Sequence, residues 1–275
     1  MQRTLIRLFR VCPLPLVYGI MGLVIPFYML FGKGFRASYR FFRRRIGQGA
    51  VHSFFSVYAN EFNLGLVVLD RFAAYAGKQF RFDIAGHDNY EAIDASPEGA
   101  VMLSSHVGNH ELAGYFLKAD KRINALVFPG ETKTVMEGRG GRFAATNIRM
   151  IPIQEDMSHI FALNNALADG EIVSIAGDRA FGSEKRLRVP FFGQEAAFPM
   201  GPFAMAAQRQ VPMVAVFVMK AGVRRYKIRV EAIPVATGES RGEQMLSLCG
   251  AYAEILERNV RAYPHQWYNF YDFWG

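Results

Sequence analysis

Apolar and polar positions fall into three regimes along the chain. Residues 11–32, VCPLPLVYGIMGLVIPFYMLFG, carry no charge. As one helix they would reach about 33 Å, enough to cross a hydrocarbon core of about 30 Å. Pro13 and Pro15 fall in the first turn, where proline is tolerated, while Pro26 lies inside and kinks the helix. The segment reads as a membrane anchor that spans or re-enters. A buried helix and a cleaved signal peptide are the alternatives, and Gly32-Lys33-Gly34 is a poor cleavage site. Residues 51–76 are apolar almost all round, as in a helix packed on most sides. Beyond residue 80, short apolar runs alternate with helical patterns. Strands are predicted at 80–84, 100–104, 123–128, 150–153, 172–176, 213–219 and 226–231. Helices are predicted at 111–118, 156–168, 202–208 and 243–262. This alternation predicts an α/β fold: a mostly parallel central sheet flanked by helices, with an N-terminal membrane-associated helical segment. The pattern breaks only near 46–50. That divides the chain into an anchor with a basic collar, 1–46, and a main domain, 47–275.

Composition sharpens the picture. At 275 residues the chain can bury a sizeable core. Hydrophobic residues make up 51% and charged residues 20%, greasier than an average soluble domain. The net charge of +8 is uneven, because residues 1–60 hold nine of the 32 basic residues and no acid. The other 23 basic residues face 24 acids, a balance of −1. A basic collar beside an apolar segment suits anionic lipid headgroups. No nucleic-acid-binding signature accompanies it, so no nucleic-acid partner is expected. The five arginines from Arg36 to Arg45 outnumber the three before the segment, which favours a cytoplasmic main domain. Cys12 and Cys249 form neither a metal spacing nor a disulfide framework, and no metal is expected.

The candidate chemistry lies in AVMLSSHVGNHE, residues 100–111. An apolar strand runs into a short polar turn and then a helix start. His106 falls at the carboxyl end of the strand, where open α/β sheets place their sites. Asn109 is a plausible N-cap, and Glu111 lies in the first helical turn. On one continuous helix, His106 and Glu111 would point about 140° apart. Across a loop-to-helix junction they can meet. The carboxylate would then fix the imidazole tautomer and leave the other nitrogen as a base. The spacing alone also fits a structural histidine.

Further blocks follow in order: Gly177-Asp178-Arg179-Ala180-Phe181-Gly182, Val189-Pro190-Phe191-Phe192-Gly193, Ala196-Ala197-Phe198-Pro199-Met200-Gly201 and the apolar strand Val211–Phe217. With the H-x4-E motif, these resemble the glycerolipid-type acyltransferases, especially the branch of the late lipid A lauroyl and myristoyl transferases. The resemblance runs from about Ala100 to Lys220, and more loosely beyond. It implies an acyltransferase domain over 47–275 and a bacterial inner-membrane location with the domain on the cytoplasmic face. It also implies acyl carrier protein or coenzyme A as thioester donor, a lipid acceptor, and no bound cofactor. His106 would deprotonate the acceptor hydroxyl and Glu111 would orient the ring. The run with Arg139 and Arg142, followed by Arg149, occupies the family's substrate-binding arginine block; Arg142 is favoured, with Arg149 next. Asp178 would shape the site through a nearby arginine or backbone, and Asn109 is a further binding candidate. Arg179, Lys185, Arg186 and Arg188 could meet phosphates or the acidic carrier, or form an ordinary basic loop.

The tail departs from the family pattern. In Tyr263–Trp274, His265 stands where the lipid A enzymes usually carry a glutamate, and the later His and Arg are absent. The acceptor could therefore be an ornithine or amino-acid lipid, a glycolipid or a polyene lipid. The aromatic tail itself reads equally as an interfacial belt or as packed core. Two other classes compete. Gly238-Glu239-Ser240-Arg241-Gly242 matches a serine-hydrolase elbow but lacks the buried strand that an elbow needs. A non-catalytic lipid-binding protein would share the greasy core without needing His106.

Overall fold

The computed structural model describes residues 9–32, 34–115, 119–127, 147–179 and 185–274. Helix α1 (Leu14–Phe31) opens with a proline in its first turn and continues through Pro26. Leu14, Tyr18, Ile25 and Met29 form one buried stripe, while Leu16, Ile20, Leu23, Val24, Phe27 and Tyr28 are exposed. The buried stripe packs on a long helix, α3 (Ala50–Tyr75). Tyr58 donates to the Gly22 carbonyl at 3.0 Å across that contact. Between them lies α2 (Phe35–Arg44), which buries Phe41 and Phe42 and exposes Arg36, Arg40, Arg43 and Arg44. Among the described residues, no helix is long and apolar enough to cross a membrane. The turn at 45–49 separates α2 from α3, yet Phe41 and Phe42 share one buried cluster with the main sheet.

The sheet has seven strands: β1 (Arg81–Ala85), β2 (Ala100–Gly108), β3 (Ile123–Val127), β4 (Ile148–Pro152), β5 (Ile172–Ala176), β8 (Met213–Gly222) and β9 (Arg225–Ile233). Their order is β1-β9-β8-β2-β5-β3-β4. All neighbours are parallel except β8 and β9, which form a hairpin. The α/β, mostly parallel architecture is thus as the alternation predicted. Central strands are buried on both faces, and side-chain alternation divides the core in two. Val101, Leu103, Ala215 and Phe217 join a cluster with Phe203, Tyr252 and Leu256. Ala100, Met102, Val214 and Val216 join the opposite cluster with Leu14, Leu66 and Leu69. Helices α5 (Ser158–Ala168), α6 (Gly201–Arg209) and α7 (Arg241–Ala262) complete the layers.

Several features differ from the pattern along the sequence. Helix α4 (His87–Ala95) and the antiparallel hairpin β6 (Arg186–Phe191)–β7 (Gln194–Pro199) were not anticipated. β2 continues four residues past Ser104. The segment after it, His110–Tyr115, is a 3-10 helix rather than an α-helix, because Leu112 N–H donates to the Asn109 carbonyl three residues back.

Candidate active site

β2 and β8 pair in register from Val101 to Ser104, and again at Gly108. Between Ser104–Val216 and Gly108–Val218, β2 uses four residues where β8 uses two. The surplus forms a bulge, and bulges re-aim side chains. His106 sits in this bulge, at the carboxyl end of the strand. Gly108 closes it at φ +69, and a Cβ there would lie 2.0 Å from the Val218 carbonyl oxygen. Only glycine meets both demands.

β5 is the parallel neighbour of β2, so their carboxyl ends lie side by side. Asp178 follows β5 and turns onto His106. Its Oδ1 is 2.8 Å from His106 Nδ1, and its Oδ2 accepts the His106 backbone N–H at 2.8 Å. Trp267 Nε1 donates to the same Oδ2 at 3.1 Å. Burial by itself would push this carboxyl up, but the His106 charge and the hydrogen bonds from its ring and backbone hold it at about 2. A carboxylate can only accept, so Nδ1 carries the ring hydrogen and the neutral imidazole keeps its lone pair on Nε2. The His106 side chain is 24% exposed and that of Asp178 1%. Of the pair, His106 is therefore the partner open to solvent, and Asp178 is the one enclosed beneath it.

The C-terminal tail is stitched onto this pair. Val107 and Trp267 form an antiparallel bridge, and Tyr268 N–H donates to the His106 carbonyl at 2.9 Å. Arg179 reaches the Tyr268 carbonyl at 3.0 Å, and Tyr271 OH reaches that of Asp178 at 3.3 Å. Of the two readings of the tail, this is packed core.

Glu111 is engaged differently from the expected histidine–glutamate pairing. The position on Nδ1 belongs to Asp178, and Glu111 Oε1 lies 3.2 Å from Arg71. Arg71 Nε in turn donates to Asn109 Oδ1 at 3.2 Å. Asn109 is fully buried. Its amide serves Arg71, Val67 and Tyr226, so it supports the site from beneath instead of lining it for a substrate. Its main-chain carbonyl starts the 3-10 turn.

Arg149 is exposed on β4, the edge strand three places from β2. It is level with Asn124 and Val173, hence with Val101, at the opposite end of the sheet from His106. It stands away from the pair because a parallel sheet presents only carboxyl ends at one edge. Arg139 and Arg142 lie outside the described residues. Arg186 and Arg188 are exposed on β6. Ser240 caps α7: its Oγ accepts the Glu243 N–H at 3.2 Å and its own N–H reaches Glu243 Oε2 at 2.9 Å. That cap explains the Gly-x-Ser-x-Gly run without an elbow. The sequence reading missed Arg71 and the link from Trp267 to Asp178. Arg71 is the one Lys or Arg in α3, and that was the available signal for it.

The family model of the bacterial lipid A biosynthesis acyltransferases matches residues 72–274. The chain belongs to that family. No curated protein matches it. The matched span takes in the whole sheet, His106, Asp178 and the tail of this acyltransferase. It begins one residue after Arg71, leaving α1, α2 and most of α3 outside.

Proposed function

We propose that the protein transfers a fatty acyl group from an acyl thioester, carried by acyl carrier protein, to a hydroxyl of a lipid A-type acceptor. The observation that carries this reading is the His106–Asp178 pair at adjacent strand ends. Nε2 of His106 takes the proton of the acceptor hydroxyl. The alkoxide-like oxygen attacks the thioester carbonyl, the C–S bond breaks, and the imidazolium returns its proton to the leaving thiolate. Asp178 holds the ring in the tautomer this needs and stabilises its cationic form. No covalent acyl-enzyme and no bound cofactor enter the scheme. Glu111 supports the rim through Arg71. The exposed Arg186 and Arg188 suit an acidic carrier protein. The tail's departure from the family pattern favours a second reading of the acceptor alone, as an ornithine, glyco- or polyene lipid.

The test is acyl transfer by purified full-length protein in detergent. Labelled acyl carrier protein serves as donor and a bacterial lipid extract as acceptor pool, with His106→Ala alongside. Transfer that disappears in the variant supports the scheme, and the product mass names the acceptor. Equal transfer by both proteins removes His106 as the base.

The same reading places the protein on the cytoplasmic face of the inner membrane. The outward face of α1 is continuous in character with exposed Val51, Phe54 and Phe55 of α3, and the arginines of α2 stand beside them. An apolar face rimmed by cations suits docking in the interface plane. Replacing Leu23 and Phe27 together by Asp is expected to weaken binding to anionic vesicles at least about ten-fold, since each large apolar side chain contributes roughly 1.5–3 kcal/mol on burial. Unchanged flotation would place the membrane face elsewhere.

A further inference from the structure

We infer that Trp267 is a positioning residue for the reaction, its indole N–H setting the Asp178 carboxylate that orients His106. This rests on the proposed acyl transfer. Oδ1 is committed to the ring of His106, at 2.8 Å. Oδ2 receives two donors, the His106 backbone N–H at 2.8 Å and Trp267 Nε1 at 3.1 Å. Both His106 donors belong to the bulge that Asp178 must hold. Trp267 is the donor that comes from outside it, so it ties the carboxylate to a separate part of the fold.

The indole is itself fixed. Trp267 is 2% exposed. Its ring lies edge-on to Phe41 at 5.0 Å, to Phe273 at 5.4 Å and to Phe191 at 5.7 Å. Its main chain is held on both sides, by the bridge to Val107 and by Asn60 Nδ2 donating to its carbonyl at 3.0 Å. An indole N–H is a donor only, and burial makes an unmade bond costly. The Asp178 charge needs such donors, since its side chain is 1% exposed. Loss of the indole hydrogen bond frees the carboxylate to turn about its last torsion, and the imidazole loses its fixed plane.

Trp267→Phe keeps most of the apolar volume and removes the N–H. In the full-length protein it is expected to lower kcat roughly ten- to a hundred-fold, as for a hydrogen bond to a charged group, with KM little changed. In an Asp178→Asn background the same replacement should cost almost nothing further. A loss that persists there, or a kcat like wild type, overturns the inference. A second measurement needs neither activity nor the Phe variant. The chain has two tryptophans, Trp267 and Trp274, and Trp274 donates to the Phe191 carbonyl at 3.1 Å. In a nitrogen-15 spectrum, Asp178→Asn should move the indole resonance of Trp267 and leave that of Trp274 in place. Two unmoved resonances would overturn the inference. Absence of transfer by wild type would strike the parent reading alone, leaving the spectrum to decide Trp267.

Discussion

Asp178→Asn is expected to lower acyl transfer by about 10³- to 10⁴-fold, approaching the loss from His106→Ala, while the protein stays folded. An amide in that place keeps the size and can still accept from the His106 backbone and from Trp267. It can also donate to Nδ1. The ring then moves its hydrogen to Nε2, the nitrogen that has to take the proton from the acceptor hydroxyl. Glu111→Gln is the matched control. Its carboxylate faces Arg71 at 3.2 Å, so its loss is expected to cost about ten-fold or less through the rim. The double variant His106→Ala/Asp178→Asn should be no slower than His106→Ala alone, because residues that act as one unit are not additive. Initial rates with saturating donor would check all four proteins. A Glu111→Gln loss larger than that of Asp178→Asn would return the orienting role to the H-x4-E glutamate.

Lys220→Met is expected to destabilise the fold by about 3–5 kcal/mol, a large part of a typical domain's total. Lys220 Nζ is 2.5 Å from Asp70 Oδ2, and the two side chains are 6% and 0% exposed. Tyr18 and Tyr226 also donate to Asp70, and Lys220 Nζ reaches Tyr18 OH at 3.0 Å. Gln266 holds the Lys220 backbone at both its N–H and its carbonyl. Four parts of the chain therefore meet on one buried ion pair: α1, α3, the β8–β9 hairpin and the tail. Burial pushes the Asp70 carboxyl up and the Lys220 ammonium down, each opposed by the other's charge. Removing the lysine leaves the carboxyl buried without its cation, which is why the cost is large. Adding Asp70→Asn to Lys220→Met should recover most of it. Thermal unfolding is the measurement, with a fall of roughly 10 °C expected for the single variant. A fall of under about 2 °C would show that the pair does not carry the docking of α1.

The tail shows how far a linear reading reaches. Its aromatic richness left belt and core equally open, and the structure packs it against Asp178 and His106. The seven strands and the long helices were readable because periodicity reports what each segment buries. Helix α4 was missed because its apolar signal is short. The β6–β7 hairpin was missed because residues 186–201 were read as family blocks and a basic loop, not for their alternation of exposed and buried positions. His106 was legible as a strand-end residue two places before a glycine. Its partner was not, since Glu111 is near in sequence while Asp178 is 72 residues away.

By itself, the sequence determined the α/β class, the end of the strand where His106 stands, the family and the apolar, basic N-terminus. Each of these depends on the order of residue types along one segment. The tertiary structure alone decided that β5 lies beside β2, that Asp178 rather than Glu111 sits on Nδ1, that Arg149 is remote, and that Trp267 and Lys220 tie distant segments together. Those outcomes depend on which strand edges and helix faces find each other. Contacts between segments 72, 89 and 150 residues apart leave no local periodicity to read.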